Sequence, residues 1–336
     1  MPKKKIDIVY LWVDGADKKW RAEKDKWFKK INGVNPIYKG AADVERFRDN
    51  GEFLYSLRSV AECVPWINHI YIITGFNQVP KWLNTNHPKI TIIPHEQIIP
   101  AHALPTFNAT SIEMCIPNIK ELSEHFLLMN DDIFFNKKIS PDFFFNRRGQ
   151  TIVRYNSYTK HPSNINKWIG SVDDYTQTLI LSSKILEDTF DKKLYFGRPS
   201  HGVDPYLKTS IKECMNIPQI KKQINNQVSN KFRTNTEIQR WTFNLYDFIK
   251  KRAIFKHARA RKYTRHKILN FIYNTLHFIG IRNSNVVCTN VTDCADAISR
   301  APTFCINDAS DNTPEILKKN REFLEQRFPN KCEFEK

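Results

Sequence analysis

The chain has 336 residues, enough to bury a sizeable core in one large α/β domain or in one domain with a substantial insertion. Its 52 Lys and Arg against 35 Asp and Glu give a formal net charge of +17, which favours an anionic partner without naming it: nucleic acid, anionic lipid, a phosphate-bearing polymer or nucleotide, and a merely soluble basic surface all satisfy the balance. The seven cysteines are odd in number and scattered with no C-x-x-C pair, which argues against a zinc knuckle or a redox motif and fits a reduced, cytosolic setting.

In chain order, Lys3-Lys4-Lys5 precede an apolar stretch broken by Asp7 and Asp14 and without a small-residue cleavage site, so no signal peptide is expected. Ile6 to Trp12 reads as a buried strand closed by the turn Asp14-Gly15, and His69 to Thr74 and Lys89 to Pro94 read as two more. Between them Phe53, Leu54, Leu57, Ala61 and Val64 recur at helical spacing until Pro65. This alternation predicts a parallel α/β sheet. Ile112, Cys115, Ile119, Leu122 and Phe126 suggest a further helix that Pro117 should kink or restart. Phe126 to Met129 then forms a short strand ending at Asn130-Asp131-Asp132, where open α/β sheets bind ligands.

From about Arg147 to Gly197 the pattern loosens, and an irregular substrate-facing lobe is expected. Lys221 to Lys267 reads as helical and very basic, notably around Lys250-Lys251-Arg252 and from His257 through Arg259, Arg261, Lys262 and Arg265 to His266. A solvated helix face and a cationic track for polymer or membrane surface explain that run equally well. Ile268 to Ile281 is apolar but too short to cross a bilayer as a helix, so a soluble or peripheral protein is expected. Thr313 before Pro314-Glu315 starts a last helix that Pro329 stops. The expected division is an α/β core over 1–146, a lobe with a histidine loop over 147–220, a basic helical segment over 221–300, and a C-terminal motif and helix over 301–336.

Two adjacent acids after an apolar strand are poorly explained by core packing, and hard cations prefer carboxylate oxygens, so Asp131 and Asp132 are candidate metal ligands. A capped loop is the bland alternative. His201, in Arg198-Pro199-Ser200-His201-Gly202, has no apolar face around it and suits general base work, although a lone histidine is more often structural or exposed. Arg58 and Arg233 have the fork geometry to grip phosphate, as do many other arginines here. The residues by themselves lead to an α/β enzyme handling a phosphorylated ligand.

Four separated blocks add to this. IDIVYLWVDGAD (Ile6 to Asp17), the stretch from Arg46 to Phe135 with RFRDNGEFLYSLRS, LPTFNATSIE and FLLMNDDIFF, RPSHGVDPYLKTSIKECM (Arg198 to Met215) continuing to Phe232-Arg233, and FCIND (Phe304 to Asp308) resemble, in order, the four regions of the Stealth family. Stealth proteins are capsule and exopolysaccharide sugar-phosphate transferases related to the animal N-acetylglucosamine-1-phosphotransferase. The resemblance implies a nucleotide-sugar transferase core of GT-A-like, Rossmann type. It also implies catalytic roles for Glu113, Asp132, His201 and Arg233. Trp12, Val13, Asp14, Gly15, Arg58, Asn307 and Asp308 would lie at the donor.

Implied further are a UDP-sugar donor with Mg²⁺ or Mn²⁺, an anionic glycan acceptor, a cytoplasmic setting at the inner face of the membrane beside the capsule assembly machinery, and no specific nucleic acid. Two alternatives remain open at this point. One is a glycosyltransferase that attacks the anomeric carbon and releases UDP. The other is a non-catalytic binder of nucleic acid or membrane surface, for which only the charge speaks.

Overall fold

The computed structural model describes residues 4–31, 40–160, 171–258 and 284–336. The basic run from Arg259 to His266 and the apolar stretch Ile268 to Ile281 lie outside the described residues. Five strands make the central sheet: β1 (Ile6–Leu11), β2 (Ile70–Thr74), β3 (Ile90–Pro94), β4 (His125–Asn130), and one late in the chain over Asp204–Leu207. Their spatial order is β3-β2-β1-β4 followed by the Asp204–Leu207 strand. The first four are parallel, whereas Asp204–Leu207 runs antiparallel to β4 at the edge. Near-continuous Ile, Val and Leu in β1 and β2 follow from burial on both faces.

Two smaller sheets flank this one. The first pairs β5 (Ile133–Phe135) with two late strands, Asn285–Cys288 and Thr303–Ile306, of which Thr303–Ile306 lies in the middle. The second contains β6 (Thr151–Lys160), β7 (Tyr195–Pro199) and a strand over Ala253–His257. Since Asp204–Leu207 comes next it is β8, so that Ala253–His257 is β9, Asn285–Cys288 is β10 and Thr303–Ile306 is β11. Only Asp131 and Asp132 separate β4 from β5, so the acid pair sits at the junction of two sheets.

Several expectations are corrected. The helix expected from Ile112 to Phe126 spans only Ala109–Cys115, capped by the Asn108 side chain, which accepts from the Thr110 and Ser111 N–H groups. A short 3₁₀ turn containing Pro117 ends it, and Phe126 belongs to β4. The described residues between Arg147 and Gly197 are regular, with the ten-residue β6 and a 17-residue helix over Asp174–Phe190. Within Lys221 to Lys267 the described residues hold the end of helix Pro218–Val228, helix Trp241–Ile249 and β9, so the segment is not uniformly helical. Helix Pro314–Arg327 begins behind the Thr313 cap, as its sequence predicts.

Candidate active site

The carboxyl ends of β1, β2 and β4 open into a cavity of about 530 Å³. Register explains the convergence: Leu11 pairs with both Ile73 and Asn130, so the residues after each strand leave the sheet at one edge. Trp12 and Val13 reach the cavity from β1, Asp131 and Asp132 from β4, and Asn307 and Asp308 from the end of β11. Glu113 comes from helix Ala109–Cys115, His201 from the turn after β7, and Arg233 from the loop after helix Pro218–Val228.

Three expected residues stand apart from this space. Arg58 donates from Nε and Nη2 to the two carboxylate oxygens of Glu335, each at 2.8 Å, and from Nη1 to the Phe328 carbonyl at 2.8 Å. Its fork is filled by the C-terminal segment, so it grips the chain's own end and does not line the cavity. Asp14 exchanges backbone hydrogen bonds with the Gln78 amide, and its Oδ1 accepts from the Ala16 N–H. Gly15 donates its N–H to the Phe47 carbonyl at 2.9 Å, and any Cβ there would overlap that oxygen. Asp14 and Gly15 therefore shape the wall that carries Phe47 and Arg48.

The acid at the sheet junction has one satisfied oxygen and one unsatisfied. Cys305 Sγ donates to Asp132 Oδ2 at 3.2 Å, because β11 pairs Cys305 with Ile133. Asp132 Oδ1 is buried without a hydrogen-bond partner, and so is His201 Nε2. Burial pushes the Asp131 carboxyl well above the usual carboxylate range, and the charges of Asp132, Glu52 and Asp49 push it further. Glu52 is raised to about 7 by burial, despite hydrogen bonds from Asn50. Such crowded acids, one with an orphaned oxygen, suit a hard divalent cation, whose charge would relieve the repulsion. Asp131 and Asp132 would hold it, with Glu52 behind them.

His201 adopts a left-handed backbone, with φ of 51°, which is uncommon for a residue with a side chain. The turn is held by Asn285, whose side-chain amide donates to the Ser200 carbonyl at 2.9 Å and the His201 carbonyl at 3.1 Å. Asp308, also lining the cavity, is raised by burial but held below the usual range by Arg48, whose Nε and Nη2 reach it at 2.7 and 2.8 Å. His95, also on the wall, is pushed by burial down to about 4 and is therefore neutral.

Arg240 was not singled out by the sequence. It pairs through Nη1 with Glu113 and through Nη2 with Asp204, at 3.2 Å, joining helix Ala109–Cys115 to β8. Glu113 and Asp204 are 7% and 3% exposed, so this guanidinium compensates two carboxylates that water scarcely reaches. No periodicity marks Arg240 in its stretch EIQRW. Glu52 and Cys305 lie inside blocks that the sequence does mark, and only the fold brings Glu52 near Asp131 and Cys305 to Asp132.

Three family profiles match the chain: Stealth protein CR1, conserved region 1, over residues 4–29; CR2, conserved region 2, over 46–153; and CR4, conserved region 4, over 296–336. Together they cover just over half of it. The chain belongs to the Stealth family. It is 29% identical over 321 residues to the capsular polysaccharide phosphotransferase fcs1 of Haemophilus influenzae, covering 94% of this chain and 81% of that one. It is 28% identical over 356 residues to the capsular polysaccharide phosphotransferase WcwK of Streptococcus pneumoniae, covering 98% of each. A stronger but shorter match, 42% over 144 residues, is to the exopolysaccharide phosphotransferase cps2G of Lactiplantibacillus plantarum, covering 43% of this chain and 40% of that protein's length. Among solved structures, a galactosyltransferase LgtC in complex with donor and acceptor sugar analogs aligns over 96% of this chain and 95% of its own at 8% identity, with a TM-score of 0.44. His201, Arg233 and Arg240 lie outside the three matched segments and reach the cavity that those segments build.

Proposed function

We propose that this Stealth protein is a capsular polysaccharide phosphotransferase that moves hexose-1-phosphate from a UDP-sugar to a glycan hydroxyl, releasing UMP. The observation that carries this reading is the meeting of Glu113, Asp132, His201 and Arg233 in one cavity at the carboxyl edge of the sheet. The relatives named as capsular polysaccharide phosphotransferases support the reaction class. The acceptor oxygen attacks the β-phosphorus, the bond from that phosphorus to the bridging oxygen breaks, and UMP leaves with that oxygen. The hydroxyl proton passes to Nε2 of His201, which has no hydrogen-bond partner among the described residues. Arg233 steadies phosphate oxygens, and Glu113, fixed by Arg240, orients sugar hydroxyls at the cavity wall.

Mg²⁺ or Mn²⁺, when bound by Asp131 and Asp132, would supply charge neutralisation on the diphosphate. The acceptor and product are anionic once phosphodiesters accumulate, which suits a chain of charge +17. The scattered free cysteines support a cytoplasmic setting at the inner membrane face. Among the described residues no helix is long and apolar enough to cross a membrane. Incubation with UDP-sugars and a glycan primer, followed by chromatography of the nucleotides, tests the reading. UMP is the product expected, and UDP would replace phosphotransfer with glycosyl transfer.

A further inference from the structure

The donor atoms around Asp132 are not all of the kind that magnesium prefers. A carboxylate oxygen of Asp132, a ring nitrogen of His201 and Cys305 Sγ all lie within 4.8 Å of one another. Sulfur and imidazole nitrogen are poor partners for Mg²⁺, which takes oxygen, and good ones for Zn²⁺, which takes thiolate, imidazole and carboxylate in tetrahedral sites. We propose that Asp132, His201 and Cys305 form a zinc site overlapping the transfer centre, and that Zn²⁺ bound there switches transfer off. The inhibitory half of this rests on the roles given above to Asp132 and His201.

The three donors are held in place by one small sheet. Cys305 sits on its central strand, β11, and the N–H of the next residue, Ile306, donates to the Asp132 carbonyl at 3.0 Å. The His201 turn is tied to Asn285 of β10, and Asn285 Oδ1 in turn accepts from the Thr303 hydroxyl on β11 at 2.9 Å. Outer contacts of this kind orient metal ligands and hold their geometry. Tetrahedral zinc bonds of about 2.0–2.3 Å put ligand atoms about 3.3–3.8 Å apart, so donors within 4.8 Å of one another have at most about 1.5 Å to close. Two of the donor residues also carry buried atoms without a hydrogen-bond partner among the described residues, Asp132 Oδ1 and His201 Nε2.

Binding exchanges the Cys305 S–H bond for an S–Zn bond and releases one proton to solvent. Three protein ligands leave a fourth position for water. With its ring nitrogen on the metal, His201 has no lone pair there for the acceptor proton, and Asp132 is withdrawn from Mg²⁺. The remaining described cysteines include Cys288, which hydrogen-bonds with Cys294, so a competing thiol pair has to be distinguished.

The test is optical and needs no substrate. The full-length protein, stripped of metal, is titrated with Co²⁺ as a spectroscopic stand-in for zinc. One equivalent should produce thiolate-to-cobalt absorption in the near ultraviolet, bleached by equimolar Zn²⁺ and untouched by millimolar Mg²⁺. Cys305→Ser should abolish the band. His201→Gln, on a turn and less disruptive to folding, should weaken zinc binding by more than about a hundredfold, beyond what loss of an outer-shell contact gives. Absence of the band, or its persistence in a folded Cys305→Ser protein, overturns the site. Zinc that binds at one equivalent without slowing Mg²⁺-supported turnover overturns the switch. Because cobalt binding is read without turnover, failure of the phosphotransfer reading leaves the site testable by itself.

Discussion

Arg58 and Glu335 close the chain on itself through two parallel N–H···O bonds of 2.8 Å, joining helix Glu52–Cys63 to the last residues. Both side chains are largely buried, so the pair is a structural clasp with a fixed geometry. Arg58→Ala should lower unfolding stability by about 2–3 kcal/mol, the scale of hydrogen bonds to charged groups, and leave turnover per folded molecule unchanged. Urea unfolding and active-site-normalised rates decide it. Unaltered stability with lost donor binding would return Arg58 to the phosphate.

The same pair sets an acid limit. Burial raises the Glu335 carboxyl, but Arg58 outweighs it and holds the folded-state value below the ordinary one. A carboxyl depressed on folding contributes stability above its unfolded value, and that contribution disappears as pH falls through the folded value. Wild type should therefore lose stability as pH falls below about 4.5 more steeply than Glu335→Gln does. Parallel stability curves in that window would contradict the assignment.

Arg240 holds Glu113 and Asp204 in one buried ion triad. Removing the guanidinium alone, in Arg240→Met, strands two carboxylates and should destabilise the fold by about 3–5 kcal/mol. Adding Asp204→Asn should recover part of that loss in stability. Activity should not return, because Glu113 would remain without the partner that orients it. Recovery of both, or of neither, would break the link between this triad and Glu113.

The strands and helix that frame the cavity were legible because their cause is local. Continuous apolar runs such as IDIVYL and IYIIT can hardly be anything but buried strands, and Thr313-Pro314 is a helix start in any context. Asp132 was legible as chemistry because an acid pair directly after such a strand has no packing role. Long-range pairing was not legible. Arg58 resembles a phosphate ligand until Glu335, far along the chain, fills its fork, and Arg240 looks like any of the many basic residues until Glu113 and Asp204 fold around it. Helix Asp174–Phe190 and β6 were missed because polar residues interrupt their apolar pattern.

Chelation should suppress turnover, and Mg²⁺ or Mn²⁺ should restore it, since the crowded carboxylates at the end of β4 repel one another without a cation. Asp132→Asn should cost on the order of a hundredfold or more in kcat, reflecting several kcal/mol of lost charge stabilisation. Full activity in excess EDTA would leave Arg233 to neutralise the phosphates.

His201→Ala should lower kcat by about a hundred- to ten-thousand-fold, the range for a general base, while the donor dissociation constant stays near that of wild type. Lost donor binding would reassign His201 to phosphate recognition, and near-normal turnover would remove it from the reaction and make Glu113 the candidate base.

In the proposed reaction the β-phosphate travels with the sugar. A UDP-sugar labelled at that phosphorus, incubated with a capsule oligosaccharide primer and Mg²⁺, tests it in one step. Label is expected in the glycan, in a phosphodiester, with unlabelled UMP released in equal amount. Label recovered in UDP with a phosphate-free glycan would contradict it.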